Sequence, residues 1–572
     1  MILAKALSAD QRADALERMG TDELDVLVVG GGIVGVGAAL DAVTRGLSVG
    51  LVEQRDLASG TSSRSSKLVH GGLRYLEMFD FALVKEALEE RGLLLTRLAP
   101  HLVRPQPFLF PLEKAIERPY VGAGIALYDA LAMLGNYDKG VPRGRHIFKK
   151  KLARMAPDLN LDGLHGAIRY YDAQVDDARL VMSVARTAAS YGAHVATRTK
   201  VTGFLRSVDG TRVVGVTARD LENDREVEIR AKSVINAAGV WTDQIQDLLG
   251  PDQALDVDAS KGIHLVVPKD RIRCEAGIIT KTEKSVLFVI PWRNFWIIGT
   301  TDTPWDLDLA HPAASKADID YLLEHVNKIL KDPLDHEDVI GVYAGLRPLL
   351  KPTRKKPGEG ATTKLSREHT TISPIPGLVL IAGGKLTTYR VMGKDAVDLA
   401  VREFPEARGS ITDRVPLVGA SGFETRTNQR VALSRASGLE IGLIDHLLSR
   451  YGGLVDEVLA LISQRPELGV ALGGAEDYLA AEIVYAVTNE GARHLDDVLA
   501  RRTRISIETF DRGVKAAAPA AVLMAGELGW SDAQRDDEVD HYLRRVEAER
   551  QSQLMPTDQE ADEARVSAPE IV

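Results

Sequence analysis

Three glycines at 30, 32 and 35, spaced G-x-G-x-x-G, stand where the apolar run Asp25-Val-Leu-Val-Val gives way to a helical pattern that continues to Gly46. This is a spacing that binds pyrophosphate. Gly30 permits a tight turn, Gly32 lets a phosphate come close to the backbone, and Gly35 lets the helix pack against the strand. The helix start then offers free N–H groups and the positive end of its dipole. A second strand pattern, Leu47 to Val52, ends in Glu53, 18 positions beyond Gly35, where a carboxylate accepts hydrogen bonds from ribose hydroxyls. A bound dinucleotide is expected, and an ordinary glycine turn of an α/β fold is the alternative.

The turn alone does not separate NAD from FAD, so the later segments matter. Gly60-Thr-Ser-Ser-Arg-Ser-Ser-Lys-Leu-Val-His-Gly-Gly-Leu-Arg74-Tyr75 is dense in hydroxyls, glycines and bases, and can reach both a pyrophosphate and a flavin ring. Its candidate cofactor contacts are Thr61, Ser62, Ser66, Lys67, Gly71 and Gly72. Val234 to Trp241 reads as a strand ending in small residues, offering Ala238, Gly239 and Trp241. Gly377 to Tyr389 reads as another, with Gly384, Lys385, Leu386 and Thr387 where it opens into a helix. Each is a place where backbone can approach a long cofactor. Together with the fingerprint they favour FAD threaded across one domain.

These segments need a scaffold. From about residue 23 to 400, short β-branched runs (DVLVVG, LSVGLVE, SVINAAG, LVLIAG) alternate with helical stretches, an α/β signature with a Rossmann-like cofactor domain. From about 408 long helical patterns take over and predict an all-α C-terminal domain. The last stretch, QSQLMPTDQEADEARVSAPEIV, is polar and aperiodic and predicts a disordered tail over 551–572. Residues 2–19 predict an amphipathic helix, either packed on the protein or lying on a membrane surface.

At 572 residues, 45% apolar and 27% charged, the chain is globular and long enough for two or three cores. A net charge of -10 and a pI near 5.8 give no general attraction to nucleic acid or anionic lipid, so any anion site must be local. The single Cys274 allows no disulfide or CxxC pair and fits a cytoplasmic setting. No His/Cys/Asp cluster has metal-ligand spacing, so no metal is expected. No secretory signal is evident, and the longest uncharged run, Val26 to Leu40, is about 15 residues against the roughly 20 needed to span a bilayer.

SSRSSKLVHGGLRYLE (62–77), NAAGVWTD (236–243), SKGIHLVVP (260–268), GLRPL (345–349) and GGKLTTYR (383–390) resemble the FAD-dependent glycerol-3-phosphate dehydrogenases, a family within the D-amino-acid-oxidase-like flavoproteins. The resemblance covers roughly residues 23–550. It implies a cofactor domain (about 23–100, 165–262 and 365–400) interleaved with a mixed-sheet substrate domain (about 101–164 and 263–364), after an extension over 1–22 and before a helical domain over 408–550. It implies oxidation of sn-glycerol 3-phosphate to dihydroxyacetone phosphate, with hydride passing from C2 to the flavin. Such chemistry needs cations for the phosphate and a group to take the hydroxyl proton. The resemblance assigns Arg74 and Arg347 to the substrate site, His264 or Arg347 to the proton, and Lys385 to a position near flavin and substrate. Tyr75 and Thr388 are pocket-lining candidates, and Arg367 matches a basic position near the cofactor. Trp292, Trp296 and Trp305 are expected to pack in the substrate domain's sheet. No EF-hand loop is evident, which points to a bacterial-type enzyme.

The family likeness further implies a quinone as electron acceptor, peripheral contact with the inner face of the plasma membrane, and a dimer. Two other readings stand beside it. One is an oxidase of an amine, amino acid or polyol phosphate that uses oxygen; the other is a non-catalytic flavin-binding sensor.

Overall fold

The computed structural model of the protein describes residues 4–72, 80–134, 141–250, 254–282, 286–350 and 369–568. Helix α1 (Ala9–Thr21) leads into β1 (Leu24–Val29), α2 (Ile33–Thr44) and β2 (Val49–Val52), the strand–helix–strand unit expected around the glycines. β1 is apolar at almost every position because it is covered on both faces. Its parallel neighbours are β2 and β3 (Arg225–Asn236), and β3 pairs in parallel with Leu378–Ala382. The order is Thr370–Ile375, Leu378–Ala382, β3, β1, β2, His194–Ala196. Val29 pairs with both Asn236 and Val52, so three strands end along one edge of the sheet. That edge is where α/β sheets bind ligands.

Helices α2, Asp177–Ser190 and Tyr389–Ala400 cover one face of this sheet. The other face packs against an antiparallel layer formed by Thr199–Arg206, Val213–Asp220 and the first half of β3. α1 joins that layer, with Leu16 and Met19 buried. Its apolar stripe is therefore spent inside the protein, which settles the choice left by its amphipathic pattern against a membrane-surface role.

The second sheet is mixed and mostly antiparallel, running Thr303–Trp305, Val257–Pro268, Phe295–Gly299, Val286–Trp292, Gly277–Lys281, Arg104–Pro111, Ala167–Gln174 and Leu68–Val69. Val257–Pro268 is β4, and β5 (Gly341–Leu350) pairs with it over ten residues. One face carries Ile263, Leu265, Val342 and Ala344 into a core with Leu322 and Val326 of the helix Lys316–Asn327. Trp292, Trp296 and Trp305 are all buried here. Three segments fall on a different side of the expected boundaries: Leu68–Val69, Ala167–Gln174 and the start of β4 up to residue 262 belong to this sheet and not to the cofactor sheet. Apolar residues fit either sheet, and long-range pairing decides: Ala167–Gln174 pairs with Arg104–Pro111 and in turn with Leu68–Val69, and β4 pairs with β5.

Beyond Phe423 the chain is helical apart from the short hairpin Ala471–Leu472/Ala475–Leu479. The expected disordered tail requires correction. Helix Asp532–Ser552 runs on past 551, and Asp558–Arg565 forms a further helix that Thr557 caps. Ala561 and Met555 pack against Trp305 and Leu346, and Asp558 accepts a hydrogen bond of 2.6 Å from the buried Lys261. The segment lacks apolar periodicity, so what orders it is its contacts with the substrate domain. Among the described residues no helix is long and apolar enough to cross a membrane.

Candidate active site

Where β1, β2, β3 and Leu378–Ala382 end, an elongated cleft of about 1130 Å³ opens along the first sheet. It is built largely from backbone. Gly30 has φ +111°, and a Cβ there would lie 2.7 Å from the carbonyl oxygen of Ala237. A Cβ on Gly35 would lie 1.9 Å from the Gly30 oxygen, so α2 can start this close to β1 only with glycine at 35. Gly32 precedes α2 and has no side chain to cap it; instead Ser62 Oγ accepts from the Ile33 N–H at 3.0 Å. The rest of that first turn is a phosphate-sized anion site.

Glu53, on the same wall, accepts from Gly31 N at 2.6 Å and from Arg55 N at 2.8 Å, one bond per carboxylate oxygen. Burial pushes its pKa up against these bonds and the nearby Arg55. A second acceptor position on each oxygen suits ribose hydroxyls. Trp241 closes over Gly60, with Arg55 stacked 5.2 Å from its ring. At the other end Gly383 and Gly384 lead to Lys385 and Leu386. This donor set fits a long dinucleotide.

A second cleft, of about 1300 Å³, shares Thr61, Lys385 and Leu386 with the first. The β4–β5 register forms one wall, with His264 opposite Tyr343, Gly262 opposite Gly345, and Ser260 opposite Arg347. Alternation along the strands puts all six on one face. The glycine pair between them keeps the space clear: a Cβ on Gly262 would lie 2.5 Å from Arg347 Nη2. Arg347 donates to Thr300 Oγ1 (3.0 Å), Thr301 O (3.1 Å) and Asp302 (3.1 Å). Asp302 also accepts from Ser260 Oγ at 2.5 Å.

His264 is 3% exposed and stacks on Tyr343 with ring centroids 4.8 Å apart. Its Nε2 meets Ser66 Oγ at 2.8 Å, and Nδ1 has no hydrogen-bond partner among the described residues. Burial, then the charges of Arg347 and Lys67, hold its pKa well below the usual histidine value, so the ring is neutral near pH 7. The Nε2–Ser66 bond fixes how the ring sits, and Nδ1 is buried.

Of the residues singled out from the sequence, Gly30, Gly32, Glu53, Thr61, Ser62, Ala238, Gly239, Trp241, Gly384, Lys385 and Leu386 line the first cleft. Ser66, Gly72, His264, Arg347 and Thr387 line the second. Gly35 serves packing, as its spacing implies. Ser66, Gly72 and Thr387, expected at the cofactor, fall on the second cleft instead, and three further assignments change. Lys67 is fully buried with its Nζ 2.9 Å from Asp177 and 3.1 Å from Ser63 O, so it is an internal ion pair. Gly71 is turned toward Tyr128, whose hydroxyl accepts from its N–H at 2.8 Å. Thr388 is 2% exposed and faces neither cleft; its neighbour Thr387 does, and bonds His70 N–H at 3.0 Å. Arg74, Tyr75 and Arg367 lie outside the described residues.

The sequence reading passed over Arg64, Thr300 and Asp302, all on the second cleft. Thr300-Thr301-Asp302 follows the apolar strand Phe295–Gly299, and only that abrupt change from apolar to polar marks it.

Comparison with known proteins follows the same division. The family model described as "FAD dependent oxidoreductase" matches residues 25–399, and that of the "C-terminal domain of alpha-glycerophosphate oxidase" matches 410–535. The chain is 55% identical over 570 residues to "Glycerol-3-phosphate dehydrogenase 2" of Mycobacterium tuberculosis (strain ATCC 25618 / H37Rv), covering 99% of this chain and 95% of that one. It is 36% identical over 550 residues to the mitochondrial glycerol-3-phosphate dehydrogenase of Homo sapiens, covering 93% and 74% of the two chains. The solved glycerol-3-phosphate dehydrogenase of Bacillus halodurans, complexed with FAD, matches with a TM-score of 0.78 at 29% identity, covering 95% of this chain and 98% of that one.

Proposed function

The chain belongs to the FAD dependent oxidoreductases, and from that premise we propose that it oxidises sn-glycerol 3-phosphate to dihydroxyacetone phosphate. The observation that carries the reading is a neutral buried imidazole and a guanidinium on one strand-pair face, separated by facing glycines, in a cleft continuous with the cofactor cleft. The relatives named above as glycerol-3-phosphate dehydrogenases support the substrate.

FAD, when bound, supplies the two-electron acceptor for the hydride on C2. Glu53 would hold the adenosine ribose, and the start of α2 with Ser62 the pyrophosphate. Lys385, where the clefts join, places a positive charge at the flavin end. His264 accepts the C2 hydroxyl proton, and Ser66 holds the ring through its bond to Nε2. Arg347 stays protonated, so it grips the phosphate or the developing carbonyl oxygen and leaves the proton to His264. The family likeness adds Arg74 and Tyr75 at the substrate and Arg367 near the cofactor.

The test is anaerobic bleaching of the bound flavin by glycerol 3-phosphate, with free glycerol and glycine as controls. Bleaching by glycine alone would favour an amino-acid oxidase, and none at all a sensor.

The family likeness supports a quinone acceptor, and one surface supports contact with a membrane. Ile116 and Tyr120 are 72% and 66% exposed at the start of helix Glu117–Leu134, and Leu127 and Met133 are exposed further along it. Phe148, 68% exposed, lies under Arg118 and is followed by Lys149, Lys150 and Lys151. Apolar side chains ringed by lysine suit an anionic lipid surface despite the net negative charge. Flotation with anionic vesicles, expected to fail for Phe148→Glu, checks it, and quinone reduction compared with peroxide output separates dehydrogenase from oxidase.

A further inference from the structure

Behind the substrate cleft, the catalytic body meets the helical domain across a small cleft walled by Arg64, Arg501, Arg504, Arg545 and Arg565, with Glu549 as its only acidic lining residue among those described. Four of the five arginines are held by carboxylates. Arg501 pairs with Asp56, Asp496 and Asp497, Arg504 with Asp176 and Asp177, Arg545 with Asp496 and Glu549, and Arg565 with Glu549. Arg64 differs. Its Nη1 donates to the neutral carbonyl of Ala310 at 3.0 Å, and no carboxylate among the described residues lies within ion-pair distance of it. Burial, then repulsion from Arg545, Arg565 and Arg501, pushes its pKa down to about 9. It is still protonated near pH 7, and among the described residues it is the one arginine of the five that no carboxylate pairs.

Arg64 also lines the substrate cleft, where its backbone and Cβ lie against Gly345. Its backbone is tied to the catalytic wall on both sides. A Cβ on Gly345 would lie 2.6 Å from Arg64 O, and Tyr343 donates to Ser65 O at 3.1 Å. Ser62 and Ser66, which cap α2 and hold His264, flank it two residues away.

We propose that this junction is a second oxyanion site, which takes inorganic phosphate or a small phosphate monoester on Arg64 and reports its occupancy to the substrate cleft. A guanidinium fork presents paired N–H donors to phosphate oxygens, and an oxyanion gives Arg64 the anionic partner that its four neighbours already have. Ser506, Ser552 and Gln553 on the same walls offer hydroxyl and amide partners to the rest of an ester. An anion on Arg64 lowers the positive potential of the cleft, so it weakens the hold on a phosphorylated substrate, and the substrate weakens it in return. This coupling rests on the function proposed above; the site itself does not.

The test is calorimetric titration of the FAD-loaded enzyme with inorganic phosphate and, separately, with methyl phosphate, which distinguishes the two ligand sources. Ser506→Glu puts a carboxylate into the junction and away from the substrate cleft. The wild-type protein should bind one more equivalent of phosphate than this variant, or bind it roughly tenfold more tightly. Phosphate should also raise KM for glycerol 3-phosphate more in the wild type than in the variant. Gln553→Glu serves the same purpose if Ser506→Glu does not load flavin. Identical phosphate stoichiometry and affinity in wild type and variants overturns the site. A difference in binding with no difference in KM leaves the site and overturns the coupling.

Discussion

The two clefts meet at Lys385, yet they are made differently. The cofactor cleft is a backbone object: glycine turns, strand ends and one helix start, with Glu53 as its main charged side chain. The substrate cleft is a side-chain object, in which His264, Ser66, Arg347, Thr300 and Asp302 converge from four separate stretches of chain over a floor of facing glycines. A backbone site tolerates change in every side chain except those that would intrude. A side-chain site fails in proportion to the charge or hydrogen bond removed.

The sharpest way to break this contrast is to fill the backbone site. Gly32→Val should abolish flavin loading, read as the ratio of flavin to protein absorbance, because the new side chain takes the pyrophosphate's place. A yellow variant would mean that the cofactor lies elsewhere. On the other side, His264→Ala should load flavin normally and lower kcat by about a hundredfold or more, the range of a lost general base. Arg347→Ala should cost about 2–3 kcal/mol in kcat/KM, as a lost charge-assisted contact does.

Arg347→Ala also sharpens the electrostatics. His264 is held low by burial and then by the Arg347 charge, so it is neutral and active above its depressed pKa and loses activity as pH falls through it. Removing Arg347 removes a repulsive charge, so the acid limb of kcat/KM should move up toward the ordinary histidine value; a shift in the other direction would count against His264 as the base. Ser66→Ala should have the smallest effect, a few-fold loss of kcat with normal flavin content, since it disturbs only how the ring is held. If it instead lost flavin, Ser66 would belong to the cofactor site and the division between the clefts would blur.

Local patterns in the sequence are legible where the chemistry is local. Gly30, Gly32, Gly35 and Glu53 fall within one strand–helix–strand unit, whose geometry is the same wherever it occurs. Ser66 and His264 are 198 positions apart and meet only through the fold; no spacing rule joins them, and loop composition marks Ser66 while the family likeness marks His264. Neighbours in sequence were separated by the same fold. Ser66 faces the cleft while Lys67, with φ +57°, turns inward to Asp177. Thr387 and Thr388 sit on one 3₁₀ turn, where successive side chains point about 120° apart, so only one of the two can reach the cleft.

What the sequence determined by itself was the α/β body, the dinucleotide turn, the helical C-terminal part and the acidic end of β2, because strand and helix periodicity and glycine sterics act over a few residues. What only the tertiary structure decided was the register of β4 against β5, the turning inward of Lys67, and the ordering of Asp558–Arg565 by Lys261 and Trp305. Those depend on which distant surfaces meet, and burial energy is settled between surfaces rather than along the chain.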